Sequence, residues 1–494
     1  MSAWEGPDPR RRNVNRRARQ GIRLLLLRQV VVLLLTFGSG VVLARALPPS
    51  DFGLFAIALF VITLAAMLTE LGLQPALIQR AGELGEHEMR AAFTVQQTAV
   101  TIVVVLLWLG AGWLPLAYPK ASPVLVWLVR LLSLELYLGS WRDMSETLLE
   151  RALRYERLAP IDVAGSVAYA TVAIVTAVRG GGAYSFVAGF LASSALRTVL
   201  LYRAAPWPIR PVVDRRAIRR LLRVGIPVQV SRIVNQAQYW VTPTLVAALV
   251  GPESVGLLQW ASGNGRKPLE FLESVVRVSL PHFSILQDDA REVERLLSRY
   301  VLVFALVCGL WLAVVAVAGH DLVELVYTAR WDPAVPAMVL FAGVGLLVSL
   351  RVIVGTALVG LGRMVYAARV SALGAVVTIV ASVVLVLAVG AIGVPLGQLV
   401  GAAVLLPALT AGLERGAVVR VLAPALVALA PMGASVGVGL GVHQVALAAP
   451  LRGLVTAAAM TLVYVATTWW AGPTWLRTVA WQEASWRPAA SDEA

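Results

Sequence analysis

Ser262-Gly-Asn-Gly-Arg-Lys-Pro268 places two glycines, two adjacent cations and a proline in seven residues inside an apolar stretch. Glycine and proline interrupt a helix, and proline suits the first turn of one that resumes. A resumed helix presents free backbone N–H groups and its positive dipole end beside Arg266 and Lys267, an arrangement that favours a diphosphate. The competing reading is a kink whose charges pair internally, with Glu270 or with Glu273. Glu270 lies at i+4 from Arg266 and Glu273 at i+6 from Lys267, so only the first pair has helical spacing. A second constellation begins at Arg232, about 20 Å into its apolar segment. Asn235, Gln236 and Tyr239 follow at i+3, i+4 and i+7, so one polar stripe runs along that helix. Hydrogen bonding between neighbouring helices is one use for such a stripe. The wall of a polar cavity is the preferred one, because a charge at mid-bilayer costs roughly 2.5–3.5 kcal/mol and marks a cavity or a partner.

Other charges in apolar segments sort by depth. Arg197, Arg277 and Arg351 fall within about three turns of a segment end, where long stems carry the charge to the interface. Arg28 is similar in depth and is retained as a substrate contact. Glu135 is the deepest acid outside the Arg266 segment. A carboxylate there serves either to carry a coupling ion or to neutralise an arginine. Glu70 and Asp162 lie near segment ends and are expected at helix ends or interfaces. The four histidines lack metal-ligand spacing, no phosphate-binding Walker loop occurs, and no cofactor is expected.

The elements that must hold these residues are apolar helices. The chain is 59% apolar and only 14% charged, far from the roughly 25% charged of a soluble domain. About fourteen segments are long enough to cross a bilayer, predicting an all-α, polytopic membrane protein. Basic residues confirm a regular alternation: 29 fall in the N-terminal tail and every second gap after it, against five (Arg45, Lys120, Arg179, Arg330 and Arg452) in the gaps between. Cytoplasmic loops retain Lys and Arg, so both termini are predicted to be cytoplasmic in a bacterial inner membrane. The net charge of +14 belongs to these loops and to anionic headgroups, not to nucleic acid. The lone cysteine, Cys308, lies in an apolar segment and excludes a disulfide framework.

The chain also repeats. Leu43-Ala-Arg-Ala-Leu-Pro-Pro-Ser-Asp-Phe-Gly-Leu54 recurs in outline as Val246-Ala-Ala-Leu-Val-Gly-Pro-Glu-Ser-Val-Gly-Leu257, and further on Thr147, Leu149, Arg154 and Gly165 match Thr356, Leu358, Arg363 and Gly374. Segments one to six are thus duplicated as seven to twelve, giving two six-helix lobes related by a pseudo-two-fold axis, plus two C-terminal helices. The expected boundaries are a basic tail at 1–21, an N-lobe at 22–202, a basic linker at 203–218, a C-lobe at 219–411, the last two helices within 421–471 and a tail at 472–494. In this register Gln29, beside Arg28, is the counterpart of Arg232.

Ala44-Arg-Ala-Leu-Pro-Pro-Ser-Asp-Phe-Gly-Leu-Phe-Ala-Ile-Ala58 followed by Leu71-Gly-Leu-Gln-Pro-Ala-Leu-Ile-Gln-Arg80 resembles the opening of the bacterial polysaccharide flippases. These belong to the multidrug, oligosaccharidyl-lipid and polysaccharide exporter superfamily. Leu148–Tyr155, Arg223-Val-Gly225 and Val276–Gln287 are similar and in order, so the resemblance covers roughly residues 20 to 410. It departs at Gln259–Pro268, where relatives carry an apolar run. The resemblance implies alternating access by two lobes. It also implies an undecaprenyl-diphosphate-linked oligosaccharide as substrate, moved to the outer leaflet for surface polysaccharide such as O-antigen or exopolysaccharide, with polysaccharide polymerase or export machinery as further partners. Arg28, Arg232, Arg266 and Lys267 are then expected to hold the diphosphate, Asn235, Gln236 and Tyr239 to meet sugars, and Glu135 to couple an ion. The alternatives are a multidrug extrusion antiporter, whose cavity favours acidic residues, and a lipid II flippase. An enzyme is not expected, because the longest loops, about 20 residues, are too short for a catalytic domain.

Overall fold

A computed structural model describes residues 9–74, 77, 85–152, 154–208, 210–287, 289–413, 417–445 and 448–471. Regular structure among them is entirely helical, as apolar surroundings demand, since a helix satisfies its backbone within one segment. The long helices are α1 (Pro9–Ala46), α2 (Pro49–Glu70), α3 (Glu86–Gly110), α4 (Val124–Leu132), α5 (Leu134–Arg151), α6 (Tyr155–Val178), α7 (Tyr184–Ala204), α8 (Arg215–Leu249) and α9 (Pro252–Gly265). They are followed by α10 (Lys267–Ile285), α11 (Ala290–Val326), α12 (Val335–Gly360), α13 (Met364–Val389), α14 (Gly393–Thr410), α15 (Ala417–Val427), α16 (Leu429–His443) and α17 (Ala449–Ala471). Among the described residues eleven segments are long and apolar enough to cross a membrane. One of them, Met364–Thr410, contains both α13 and α14. The polar stretch of α8 and the pair α9–α10, broken after Gly265, lie outside those eleven.

The chain resolves into two compact units, Met1–Leu257 and Leu258–Ala494, so α8, which the repeat assigns to the second lobe, packs on α2 and α3 in the first unit. In that unit Leu43, Leu47, Ala173 and Phe186 join α1, α6 and α7, with Phe55 stacked on Phe186 at 4.9 Å. The two copies of the Pro–Gly turn meet there. A Cβ on Gly53 would lie 1.7 Å from the Pro252 carbonyl oxygen, and one on Gly256 1.9 Å from that of Pro49. Pro49 and Pro252, like Gly53 and Gly256, are equivalent positions of the repeat, so this contact is reciprocal.

In the second unit α11 is the central element. Phe283, Leu297, Phe304, Ile353, Leu358 and Leu409 form its main core. The C-terminal helices are fastened to α11 at three levels: Arg420 to Glu294 at 2.8 and 2.9 Å, Tyr464 to the Leu306 carbonyl at 2.8 Å, and Arg452 to Asp321 at 2.8 and 2.7 Å. Gly393, Gly397 and Gly401 bring α14 against α13, where added Cβ atoms would lie 1.9–2.4 Å from Leu385, Ser382 and Thr378. Such four-residue spacing of glycines permits close backbone approach where lipid supplies no hydrophobic drive between helices.

Candidate functional site

The helix break expected at residues 262–268 is present: α9 ends at Gly265, Arg266 stands between the helices, and Pro268 occupies the first turn of α10. Protein groups satisfy it. Trp311 Nε1 donates to the Gly265 carbonyl at 3.0 Å, and Tyr327 Oη donates to Asn264 Oδ1 at 3.0 Å while Asn264 Nδ2 donates to the Trp260 carbonyl at 2.9 Å. Gly265 is required at its position, since a Cβ there would lie 2.6 Å from the Met338 carbonyl oxygen. Arg266 donates to Gln398 Oε1, and its guanidinium lies 5.0 Å from the centre of the Phe341 ring. The two cations therefore part company. Lys267 turns to Glu270, 3.2 Å away at i+3, which is the internal pairing that the competing reading foresaw for this kink, though with Lys267 in the place of Arg266.

Arg28 on α1 does not stand alone. Its Nη1 lies 2.6 Å from Asp162 Oδ2 on α6, and Arg197 Nη2 on α7 lies 2.6 Å from the other oxygen, Oδ1. Arg197 thus makes a specific ion pair where snorkelling was expected, and Asp162, expected at a helix end or an interface, bridges α1 and α7. Gly165, one turn after Asp162, makes the room: a Cβ there would lie 2.6 Å from Arg197 Cγ and Cδ. One carboxylate and two guanidiniums leave this triad with one net positive charge.

Glu135 is buried and accepts from Arg142 Nη1 at 3.2 Å, while the same nitrogen donates to Ser194 Oγ at 2.8 Å. The partner is on Glu135's own helix, seven residues on. Its second oxygen, Oε2, is buried without a hydrogen-bond partner among the described residues. Sequence reasoning missed the ladder beside it, in which α3 joins α5 through Gln96–Asp143 at 3.1 Å, Gln97–Ser140 at 2.5 Å and Thr101–Tyr137 at 3.2 Å, and joins Ser133, the residue before α5, through Trp108 at 3.1 Å. The signal lies in the second segment, where Ser133, Tyr137, Ser140 and Asp143 follow at four- and three-residue intervals, while Gln96, Gln97, Thr101 and Trp108 on α3 have no such regular spacing. Asp143 closes the ladder inside an apolar stretch that runs from Val124 to Arg151.

Arg232, Asn235, Gln236 and Tyr239 lie on α8, and their side chains are outside the described residues, as are those of Glu273 and Arg277.

Residues 42–336 match the family model for polysaccharide biosynthesis proteins. The chain is 25% identical over 375 residues, 75% of each chain, to the lipopolysaccharide biosynthesis protein WzxC of Escherichia coli K12. It is 27% identical over 315 residues, 62% of each chain, to the succinoglycan biosynthesis transport protein ExoT of Rhizobium meliloti. Among solved structures its fold is similar to that of the lipid II flippase MurJ in an inward closed conformation, with a TM-score of 0.72 and 13% identity over 90% of this chain and 98% of that one.

Proposed function

We propose, because this chain belongs to the family of polysaccharide biosynthesis proteins, that it flips a polyprenyl-diphosphate-linked oligosaccharide from the cytoplasmic to the outer leaflet by alternating access. The protein is a multi-pass membrane transporter and not an enzyme. The observation that carries the proposal is the match across residues 42–336, which includes six of the eleven apolar segments in full. The arginine-poor gaps then face the extracytoplasmic side of a bacterial inner membrane, and both termini face the cytoplasm. In the first unit Arg28 and the α8 stripe of Arg232, Asn235, Gln236 and Tyr239 are the substrate contacts, with the net positive charge of the Arg28–Asp162–Arg197 triad favouring an anionic group. In the second unit the contact is Arg266, held at the helix break by groups that leave its position well defined. Lys267, already paired with Glu270, contributes less.

Cells lacking the chain test the proposal. Lipid-linked oligosaccharide is expected to accumulate on the cytoplasmic leaflet as surface polysaccharide is lost, with peptidoglycan synthesis continuing. Unchanged surface polysaccharide, or a defect confined to tolerance of cationic drugs, rejects it. In complemented cells Arg266→Ala is expected to abolish export while reaching the membrane at parental levels, and normal export by that variant removes Arg266 from the contacts.

A further inference from the structure

Four segments at one end of the first unit border an open cleft of about 690 Å³, within the roughly 300–1,000 Å³ range of small-ligand sites. They are the first turns of α2, the segment before α4, the Gly180–Gly182 loop before α7, and the turn before α9 with its first residues. All four lie in or next to the arginine-poor gaps, so, resting on the orientation proposed above, the cleft opens to the extracytoplasmic side. One turn into α2 and α9 the backbones cross in the reciprocal Gly53–Gly256 contact.

The lining mixes acceptors and donors. Asp51 and Glu253 bring carboxylates in the first turns of α2 and α9, where they already complement the helix dipoles. Lys120 brings an ammonium group whose Nζ donates to the Leu249 carbonyl at 2.7 Å. Ser122 and Ser254 add hydroxyls and Tyr184 an aromatic ring. The glycine loop exposes bare backbone, with φ of +83° at Gly180 and +52° at Gly182, which allows a ligand to approach the main chain closely. Two carboxylates against one ammonium make these lining groups net negative, which disfavours phosphate. Carboxylates that accept, beside ammonium and hydroxyl groups that donate, suit sugar hydroxyls, each of which does both.

We propose that this cleft is a receiving subsite for the uncharged sugar end of the transported oligosaccharide, distinct from the groups that meet its diphosphate. It rests on the substrate class proposed above and assigns to the far side of the membrane a separate recognition step for the glycan.

The test is calorimetric titration of the purified full chain. The probe is the free neutral oligosaccharide released by mild acid from the cells' own lipid-linked pool, with inorganic diphosphate as the competitor. The parent chain is expected to bind the oligosaccharide, and diphosphate is expected not to displace it. Ser122→Trp, which fills the cleft, and the near-isosteric pair Asp51→Asn with Glu253→Gln are each expected to weaken binding about tenfold, with parental thermal unfolding confirming that they fold. No binding by the parent, displacement by diphosphate, or equal binding by the folded isosteric pair overturns the inference. The proposed function stands or falls separately, on the lipid intermediates of the deletion cells.

Discussion

Asp162 accepts from Arg28 and Arg197 on separate oxygens, so neutralising it leaves two guanidiniums facing each other between apolar helices. Breaking a fully buried pair costs roughly 3–5 kcal/mol. With side chains 20–30% exposed here, Asp162→Asn is expected to cost about 2 kcal/mol after allowance for solvent screening, measured as a lower unfolding temperature in detergent. An unchanged midpoint would show that the triad contributes nothing to the fold. Outside the membrane, Asp214 caps α8 by accepting from the backbone N–H groups of Arg216 at 2.9 Å and Ala217 at 3.2 Å. The Ala217 and then the Arg216 hydrogen bond hold its carboxyl below the usual value of 3.8. A folded value below the unfolded one means that the cap is fully effective above that usual value and is lost as pH falls through the lower, folded one. Asp214→Ala is therefore expected to unfold at lower temperature than the parent at pH 7, with the gap closing in acid, while Asp214→Asn keeps the cap and loses the pH dependence. At this scale the sequence identified which charges were unusual but not their partners, because Asp162 is 134 residues from Arg28 and no local pattern links them.

Helices α2 and α9 cross where each has a glycine and each receives the other's proline carbonyl. Gly53→Ala or Gly256→Ala forces backbones apart and is expected to cost about 1–3 kcal/mol each. The double variant is expected to cost less than the sum, because the first substitution has already opened the shared crossing. Thermal unfolding of the three variants checks this, and strict additivity would show that the two contacts act independently. The sequence register of 203 residues marked these turns as equivalent, since Pro and Gly carry local conformational information. That the equivalents touch each other depends on helix packing. Gly165 and Gly374 behave alike: each marks a close approach in its own helix pair, α6 with α7 and α13 with α14, and a Cβ on Gly374 would lie 1.7 Å from Leu405 Cδ1. The Gly393, Gly397 and Gly401 ladder is legible only as spacing, because glycine among alanine and valine hardly alters an apolar profile.

For the molecule as a transporter, Glu135 is the proposed link to an ion gradient, with one oxygen held by Arg142 and the other buried without a hydrogen-bond partner among the described residues. Glu135→Gln keeps the size of the side chain and is expected to remove the dependence of flipping on an imposed pH gradient in reconstituted vesicles. Gradient-dependent flipping by that variant assigns coupling elsewhere. The C-terminal helices, outside the repeat in sequence, are held to α11 by Arg420, Tyr464 and Arg452, so they complete the second unit. The sequence by itself determined the helical membrane class and the break at Arg266, and it carried the alternation of basic residues and the matching register of the two Pro–Gly turns. These follow from composition, segment length and the local conformations of Pro and Gly. Only the tertiary structure decided that Arg28 shares Asp162 with Arg197, that Lys267 leaves Arg266 for Glu270, that α8 packs with the first unit, and that four distant segments border one open cleft. Each of these depends on how a helix is rotated about its axis, and that rotation is set by the neighbours it packs against.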